Sequence, residues 1–79
     1  MSTRNEAIFR DLTKHGVPLT LSVQLLARLE SVEIKDIAER ANCARSLVYM
    51  ALSGDRSAPD RLRQTFRSAI GIDPWEELS

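Results

Sequence analysis

Apolar residues recur at helical spacing along the first third of the chain, in two segments separated by helix-breaking residues. Over residues 4–14 they form one stripe, and Gly16 follows closely, which predicts a first helix and its end. Pro18 then interrupts the pattern, and Thr20 is placed to cap a second helix over residues 21–30. The chain therefore opens with two amphipathic helices joined by a short turn.

The second helix is apolar on too many sides for an ordinary surface helix. One stripe suits the core of a domain: Val23, Leu26 and Ala27. Another has a leucine in every turn: Leu21, Leu25 and Leu29. Leaving that row in water costs roughly 25 cal/mol per Å² of apolar surface, so we expect it to be covered. The apolar residues of the first helix are the expected cover, from the same chain in preference to a partner's: Ile8, Phe9 and Leu12.

Residues 32–54 have the pattern of two short helices joined by a tight turn. Asn42 lies between them, and its tolerance of the left-handed conformation allows it to end the first helix. Gly54 is placed to end the second. Ala38 and Ala51 are small enough to let the two helix backbones cross closely. The pattern predicts a helix-turn-helix, a motif that usually places its second helix in the major groove of DNA.

The last third of the chain predicts one long helix and a terminal turn. A hydroxyl, a proline and an acid at residues 57–60 suit a helix start, and Gly71 suits its end. The terminal turn begins at Asp73. Strand patterns are almost absent, and no linker or repeat divides the chain. The sequence therefore predicts a single all-α domain over residues 1–79.

Composition argues against several classes of protein. With one cysteine, Cys43, the chain can build neither an internal disulfide nor a cysteine-based zinc cluster, which indicates a reducing cytoplasm. We expect Cys43 to be a small core residue, with redox sensing as the alternative. No apolar run reaches the ~18 residues of a membrane span. The one histidine, His15, has no evident nucleophile or metal-ligand partner, so we expect no enzyme, no cofactor and no small-molecule ligand.

Charge is balanced over the whole chain but uneven along it. Eleven basic and eleven acidic residues cancel. Between residues 40 and 67, six arginines are accompanied by two aspartates, a local excess of four positive charges, whereas residues 73–77 hold three acids. A basic side with an acidic far end is compatible with DNA binding, although a neutral total predicts little long-range attraction.

The order of these features over residues 23–78 resembles the phage repressor and Cro family of helix-turn-helix proteins. Residues 37–39, Ile-Ala-Glu, are similar to the centre of the family's second helix, and residues 45–48, Arg-Ser-Leu-Val, to the start of its recognition helix. Gly54 with the basic residue and proline after it is similar to the family's loop, and residues 66–78 to its closing helix and turn. The resemblance implies a compact five-helix domain like that of the lambda repressor, here with an extra N-terminal helix and a short C-terminal turn.

The chain departs from the family's pattern at four places. The turn glycine is Asn42 here, which the turn tolerates. Ala44 stands where a Ser or Thr usually caps the recognition helix, a loss of about 1 kcal/mol. Ile34 stands where a polar residue usually touches DNA, which shifts that contact to Lys35. Ala27 and Leu52 replace an Arg–Glu pair, and an apolar contact can be as stable as an ion pair at such a place.

By the family's docking, the start and outer face of the recognition helix reach the base edges. The resemblance implies base contacts from five residues: Ala44, Arg45, Ser46, Tyr49 and Met50. Arg45 is the leading reader, since its guanidinium can bond O6 and N7 of guanine together, worth ~1–3 kcal/mol of discrimination. As alternatives to reading a base, Arg45 is a solvated surface charge or binds a DNA phosphate. Tyr49 either stacks on or bonds to the DNA, or it packs on the domain surface.

The resemblance also implies contacts with the DNA backbone and with a second subunit. Lys35 and Arg56 are expected phosphate contacts, and Arg61 either joins them or is a solvated residue of the last long helix. Family members commonly pair through the C-terminal end, which offers three candidate dimer contacts: Phe66, Trp75 and Leu78. Packing within one chain is the alternative for these apolar residues.

Together these features favour a sequence-specific DNA-binding transcriptional regulator. The simplest form is a small phage-type repressor that binds double-stranded DNA as a homodimer, on a palindrome with half-sites ~34 Å apart. The alternative is an antitoxin or adaptor that uses the same fold to bind another protein, which the neutral charge and the surplus apolar residues favour. An enzyme is the third and weakest hypothesis.

Overall fold

The structure is a computed structural model that describes the backbone of residues 3–77 and the side chains of residues 4–76. Over that range the chain consists of six helices and no strand: α1 (Thr3–Lys14), α2 (Leu19–Leu29), α3 (Ile34–Arg40), α4 (Arg45–Leu52), α5 (Asp60–Ile70) and α6 (Pro74–Glu77). The predicted all-α class is confirmed, with α1 at the place of the predicted first helix and α6 at the place of the predicted terminal turn. None of these six helices is long and apolar enough to cross a membrane.

The core lies where α2, α3, α4 and α5 meet, and α3 contacts both α4 and α5. Each of the four helices contributes side chains that are almost completely inaccessible to water: Val23, Leu26, Ile37, Val48, Leu62, Phe66 and Ile70. Phe9 adds a fully buried ring from α1. The apolar positions that predicted the helices are therefore the positions that hold them together.

Two non-glycine residues in the left-handed conformation redirect the chain at the ends of α2 and α3. Asn42 has φ 55°, which confirms its predicted place in the turn after α3. Ser31 has φ 58° and makes a similar reversal after α2. The sequence suggested Ser31 as a cap for α3, but the N-cap is Glu33. Nothing in the sequence indicated the left-handed conformation of Ser31, because serine is not enriched in it as asparagine is.

The starts of α2 and α5 differ from the predictions. α2 begins at Leu19 with Pro18 as its N-cap, so Thr20 lies inside the first turn and caps nothing. α5 begins after Pro59, and the predicted hydroxyl at Ser57 stays in the preceding loop. Neither N-cap supplies a side-chain hydrogen bond. In both helices the fixed φ of proline sets the entry of the chain, which outweighs a nearby hydroxyl.

α1 packs against α2 of its own chain, as expected, but it does not cover the leucine row. Phe9 is 1% exposed, whereas Ile8 is only partly buried. The row itself stays 42–56% exposed: Leu21, Leu25 and Leu29. The prediction that α1 shields this row is therefore wrong.

A buried asparagine explains the orientation of α1. Asn5 is fully buried, and its Nδ2 donates to the backbone oxygen of Ile70 at 2.7 Å and to Oε2 of Glu30 at 3.1 Å. Arg4 Nη2 binds the same Glu30 oxygen at 2.7 Å. A buried amide is costly unless its hydrogen bonds are satisfied, so these contacts determine which side of α1 faces inward. That side holds Asn5 and Phe9, and it turns toward the ends of α2 and α5.

Candidate nucleic-acid interface

α3 and α4 are two short helices that pack together across a four-residue turn. The N–H of Cys43 donates to the carbonyl of Ala38 at 3.0 Å and closes the turn. Ala38 and Ala51 are each 2% exposed, consistent with their expected place in the helix contact. Cys43 is half-buried and packs against the core, as expected of a small apolar residue.

α4 has one buried and one exposed side. Its buried side packs on the core through three residues: Val48, Ala51 and Leu52. Its exposed side carries the five predicted base contacts: Ala44, Arg45, Ser46 and Tyr49, which are exposed, and Met50, which is half-buried. Tyr49 keeps 40% of its surface in water, so it does not pack into the domain. Ala44 is the N-cap of α4 and has no hydroxyl, so its side chain makes no cap hydrogen bond. The backbone N–H groups at the start of α4 therefore lack a side-chain acceptor from the N-cap residue.

The resemblance expects an Arg–Glu pair at two positions of this chain and a polar DNA contact at a third, but all three positions hold buried apolar residues. Ala27 and Leu52 are 2% and 3% exposed and belong to one continuous core. Ile34 is 7% exposed, so it is unavailable to an external ligand. Lys35, the next residue, points into water instead, and its Nζ lies 3.6 Å from Oε2 of Glu33. Both groups are well exposed, and an ion pair of this kind contributes only ~0–1 kcal/mol.

The arginines between residues 40 and 67 divide into a paired set and an unpaired set. Arg63 Nε binds Oδ2 of Asp73 at 2.8 Å, and Arg67 binds Glu76. The acidic end of the chain thus neutralises two arginines of α5. In contrast, within residues 4–76 no ion pair or hydrogen bond engages the guanidinium group of any of the other four: Arg40, Arg45, Arg56 and Arg61. Positive charge is therefore left available at the end of α3, at the start of α4, in the loop that follows α4 and at the start of α5.

An open groove of about 690 Å³ lies beside the exposed side of α4. Its walls come from α2, the turn after α2 and the first turns of α3 and α4. The groove brings together three of the predicted contacts: Lys35, Arg45 and Tyr49. It also includes Arg28 of α2, which the sequence did not indicate. Arg28 lies outside the helix-turn-helix pattern, and only the packing of α2 against α4 places it here.

Arg56 and Arg61 lie elsewhere on the surface. Arg56 is exposed in the loop after α4, where its backbone N–H donates to the carbonyl of Met50 at 3.3 Å. Arg61 is exposed in the first turn of α5. Neither residue lines the groove, so the predicted backbone contacts do not form one cluster.

The predicted dimer contacts need correction. Phe66 is completely buried and packs edge-on against Trp75, with ring centroids 5.4 Å apart. A ring without accessible surface cannot meet a second subunit, so Phe66 is a core residue and packing within one chain is correct for it. Trp75 is half-buried and bonds within its own chain. Leu78 lies outside the described residues.

No metal-binding group is evident in the part of the chain that the structure describes, where no three His, Cys, Asp or Glu side chains converge. His15 lies at the end of α1, and its Nδ1 is 2.8 Å from the carbonyl oxygen of Asp11. The same carbonyl oxygen accepts the backbone N–H of His15 at 3.1 Å, so the ring adds a second contact to it at the end of α1.

Comparisons of the chain with protein-family models, with curated proteins and with solved structures found no match. The function is therefore argued from the geometry and charge of α4 and its surroundings.

Proposed function

We propose that the protein is a sequence-specific DNA-binding regulator of transcription in the cytoplasm, a small repressor that uses α4 as its recognition helix. The observation that carries the proposal is the exposed side of α4, which begins with Arg45, whose guanidinium no described side chain or backbone group engages. The same helix is anchored on its opposite side by fully buried residues, so its exposed side is held in a fixed orientation.

The dimensions of α4 suit a major groove. An α-helix with its side chains is ~10–12 Å across, and the major groove of B-DNA is ~12 Å wide. In helix-turn-helix proteins the N-terminal residues of the recognition helix contact the base edges. Arg45 is the first residue of α4, and Ser46 and Tyr49 lie on the same exposed side. These residues are the proposed readers of sequence.

The distribution of charge supports the same surface. The acids near the C-terminus are engaged with Arg63 and Arg67, whereas Arg45 and Lys35 face water beside the groove. DNA phosphates attract a cationic surface even when the protein is neutral overall. A neutral total keeps non-specific binding weak, which leaves base contacts to decide affinity.

We further propose that two copies bind a palindrome. Half-sites one helical turn apart place their centres ~34 Å from each other. The chain measures 29 × 24 × 18 Å, so two copies fit side by side at that separation. Phe66 is excluded from the contact between them by its burial, and Trp75 is the described residue of the predicted dimer face that retains accessible surface.

Selection of binding sites from random duplexes, followed by titration, tests this function. Arg45→Ala is expected to lower the preference for the selected duplex over a scrambled one by roughly 5- to 150-fold, the equivalent of ~1–3 kcal/mol. Arg40→Ala is the matched control, because Arg40 is an exposed arginine at the end of α3 and outside the groove. Equal affinity of the unaltered protein for selected and scrambled duplexes would contradict the proposal.

The exposed leucine row favours a second candidate, an antitoxin or adaptor that binds another protein. Isolated exposed leucines are ordinary on a protein surface, whereas a contiguous row on one helix face suits an apolar partner. A variant with glutamine at Leu21 and Leu29, the two leucines of the row that do not line the groove beside α4, separates the candidates. It is expected to abolish binding to the product of a neighbouring gene if the adaptor hypothesis holds. It leaves sequence-specific DNA binding unchanged if the row has no part in the repressor.

A further inference from the structure

The groove beside α4 has a cationic rim that three different helices build. Arg28 comes from α2, Lys35 from α3 and Arg45 from α4, and these are the basic residues among the groove's described lining. One acid, Glu33, lies in the same lining, which leaves an excess of two positive charges. Its carboxylate is already next to Lys35, at 3.6 Å. The groove is therefore suited to an anionic ligand.

Arg28 has no function in the fold that the described contacts reveal. Its side chain is exposed, and no hydrogen bond or ion pair within residues 4–76 engages it. The acid two positions further along, Glu30, is used by Arg4 and Asn5 instead. The guanidinium of Arg28 is thus left available at the edge of the groove.

The groove floor also includes apolar surface. Leu25 is 42% exposed and Tyr49 is 40% exposed, and both line the groove among its cations. A nucleic-acid strand presents charged phosphates that alternate with less polar sugars. Most hydrogen bonds between proteins and DNA go to this backbone, and they establish the register of the protein on the duplex.

We propose that this groove holds one sugar–phosphate strand of the bound duplex, and that Arg28 is a phosphate contact supplied by α2. The inference rests on the proposed function, since it requires α4 to lie in the adjacent major groove. It adds a backbone contact from outside the helix-turn-helix. Arg28 acts by charge and hydrogen bonding to phosphate, so it contributes equally to every sequence.

Salt dependence of DNA binding tests the role of Arg28. Each phosphate contact contributes ~0.9 to the slope of log affinity against log salt concentration. Arg28→Gln is therefore expected to reduce that slope by about 0.9 and to weaken binding about eightfold at ~0.1 M salt. The loss should be the same for the selected duplex and for a scrambled one, because phosphates carry no sequence information. Arg28→Lys keeps the charge and is expected to retain the slope.

Lys14→Gln is the matched control. Lys14 and Arg28 are both exposed, each is the basic residue in the last turn of its helix, and each substitution removes one positive charge. Lys14 does not line the groove. The control is therefore expected to keep the slope of the unaltered protein, and circular dichroism of all variants checks that the fold is intact.

The outcomes distinguish this inference from the proposed function. If Arg28→Gln keeps the original slope, or loses no more than Lys14→Gln, the inference is overturned while sequence-specific binding stands. If Arg28→Gln changes the preference between duplexes instead of the slope, Arg28 reads bases and the inference is likewise overturned. If the unaltered protein shows no sequence-specific binding, the proposed function fails and the inference fails with it.

Discussion

The indole nitrogen of Trp75 donates a hydrogen bond to the backbone carbonyl of Ala51 at 3.1 Å, which joins α6 to the last turn of α4 across 24 positions of the chain. Asp73 prepares this contact, because its Oδ1 accepts the backbone N–H of Trp75 at 3.1 Å and orients the start of α6. The terminal turn therefore braces the proposed recognition helix from behind.

Removing this hydrogen bond should destabilise the domain. Trp75→Phe keeps an aromatic ring beside Phe66 but loses the donor and part of the packed surface, so we expect the free energy of unfolding to fall by roughly 1–3 kcal/mol. Urea denaturation followed by circular dichroism measures the change. Tyr49→Phe is the control, because Tyr49 is exposed and should change stability by less than about 0.5 kcal/mol. Equal effects of the two substitutions would argue against the bracing role.

The turn between α3 and α4 depends on the left-handed conformation of Asn42. An L-residue other than Asn or Asp pays ~1–2 kcal/mol in that conformation, so Asn42→Ala is expected to lower stability by about 1 kcal/mol. Asn42→Gly carries no such strain and should stay within roughly 0.5 kcal/mol of the original protein. Thermal melts of the pair measure the difference. An alanine variant as stable as the glycine variant would show that the turn does not require this conformation.

The open N-cap of α4 offers a stabilising substitution. Ala44 has the extended backbone of an N-cap residue, with φ −70° and ψ 146°, and makes no cap bond. Ala44→Ser supplies an oxygen for the free N–H groups of the first turn and should raise stability by about 1 kcal/mol. The same change at Ala7, inside α1, should lower stability by roughly 0.5 kcal/mol. Denaturation midpoints that move in the same direction for both variants would contradict the cap assignment.

Ser22 is a buried polar residue whose hydroxyl lacks a hydrogen-bond partner among the described residues. It is 1% exposed within α2. An unsatisfied buried polar group costs ~1–3 kcal/mol, so Ser22→Ala is expected to raise the free energy of unfolding by about 1 kcal/mol. Ser68→Ala, at an exposed position of α5, should gain only a few tenths from helix propensity. Calorimetry that finds Ser22→Ala neutral or destabilising would indicate that the hydroxyl is satisfied.

The sequence predicted the helices well wherever a local signal was strong, and less well where two local signals competed. Apolar spacing placed α1 to α5 in order, the segment that begins at Asp73 indicated the terminal turn, and Asn42 marked the turn between α3 and α4. At the start of α2, however, Thr20 was preferred as the cap although Pro18 sets the boundary. In the sequence, a residue with a capping hydroxyl and a proline both indicate the start of a helix. Only the packed helix shows which of them begins it.

Only part of the candidate site could be predicted, because local signals give the exposed side of a helix but not its distant neighbours. The exposed side of α4 follows from helical periodicity, because the residues between its buried positions must face outward. Phe66 was misplaced, since an apolar residue near the end of a chain suits a core and an interface equally. Arg28 was missed because the other two cations of the groove, Lys35 and Arg45, lie seven and seventeen positions further along the chain.

By itself, then, the amino-acid order determined the number and succession of the helices, the left-handed turn at Asn42 and the outward side of α4. These depend on interactions among residues within a few positions of each other. Tertiary structure decided that α1 turns Asn5 inward and leaves the leucine row in water. It also decided that Arg63 is neutralised while Arg28 and Arg45 share a groove. Those outcomes depend on which distant side chains come within contact distance, and helical periodicity carries no information about that.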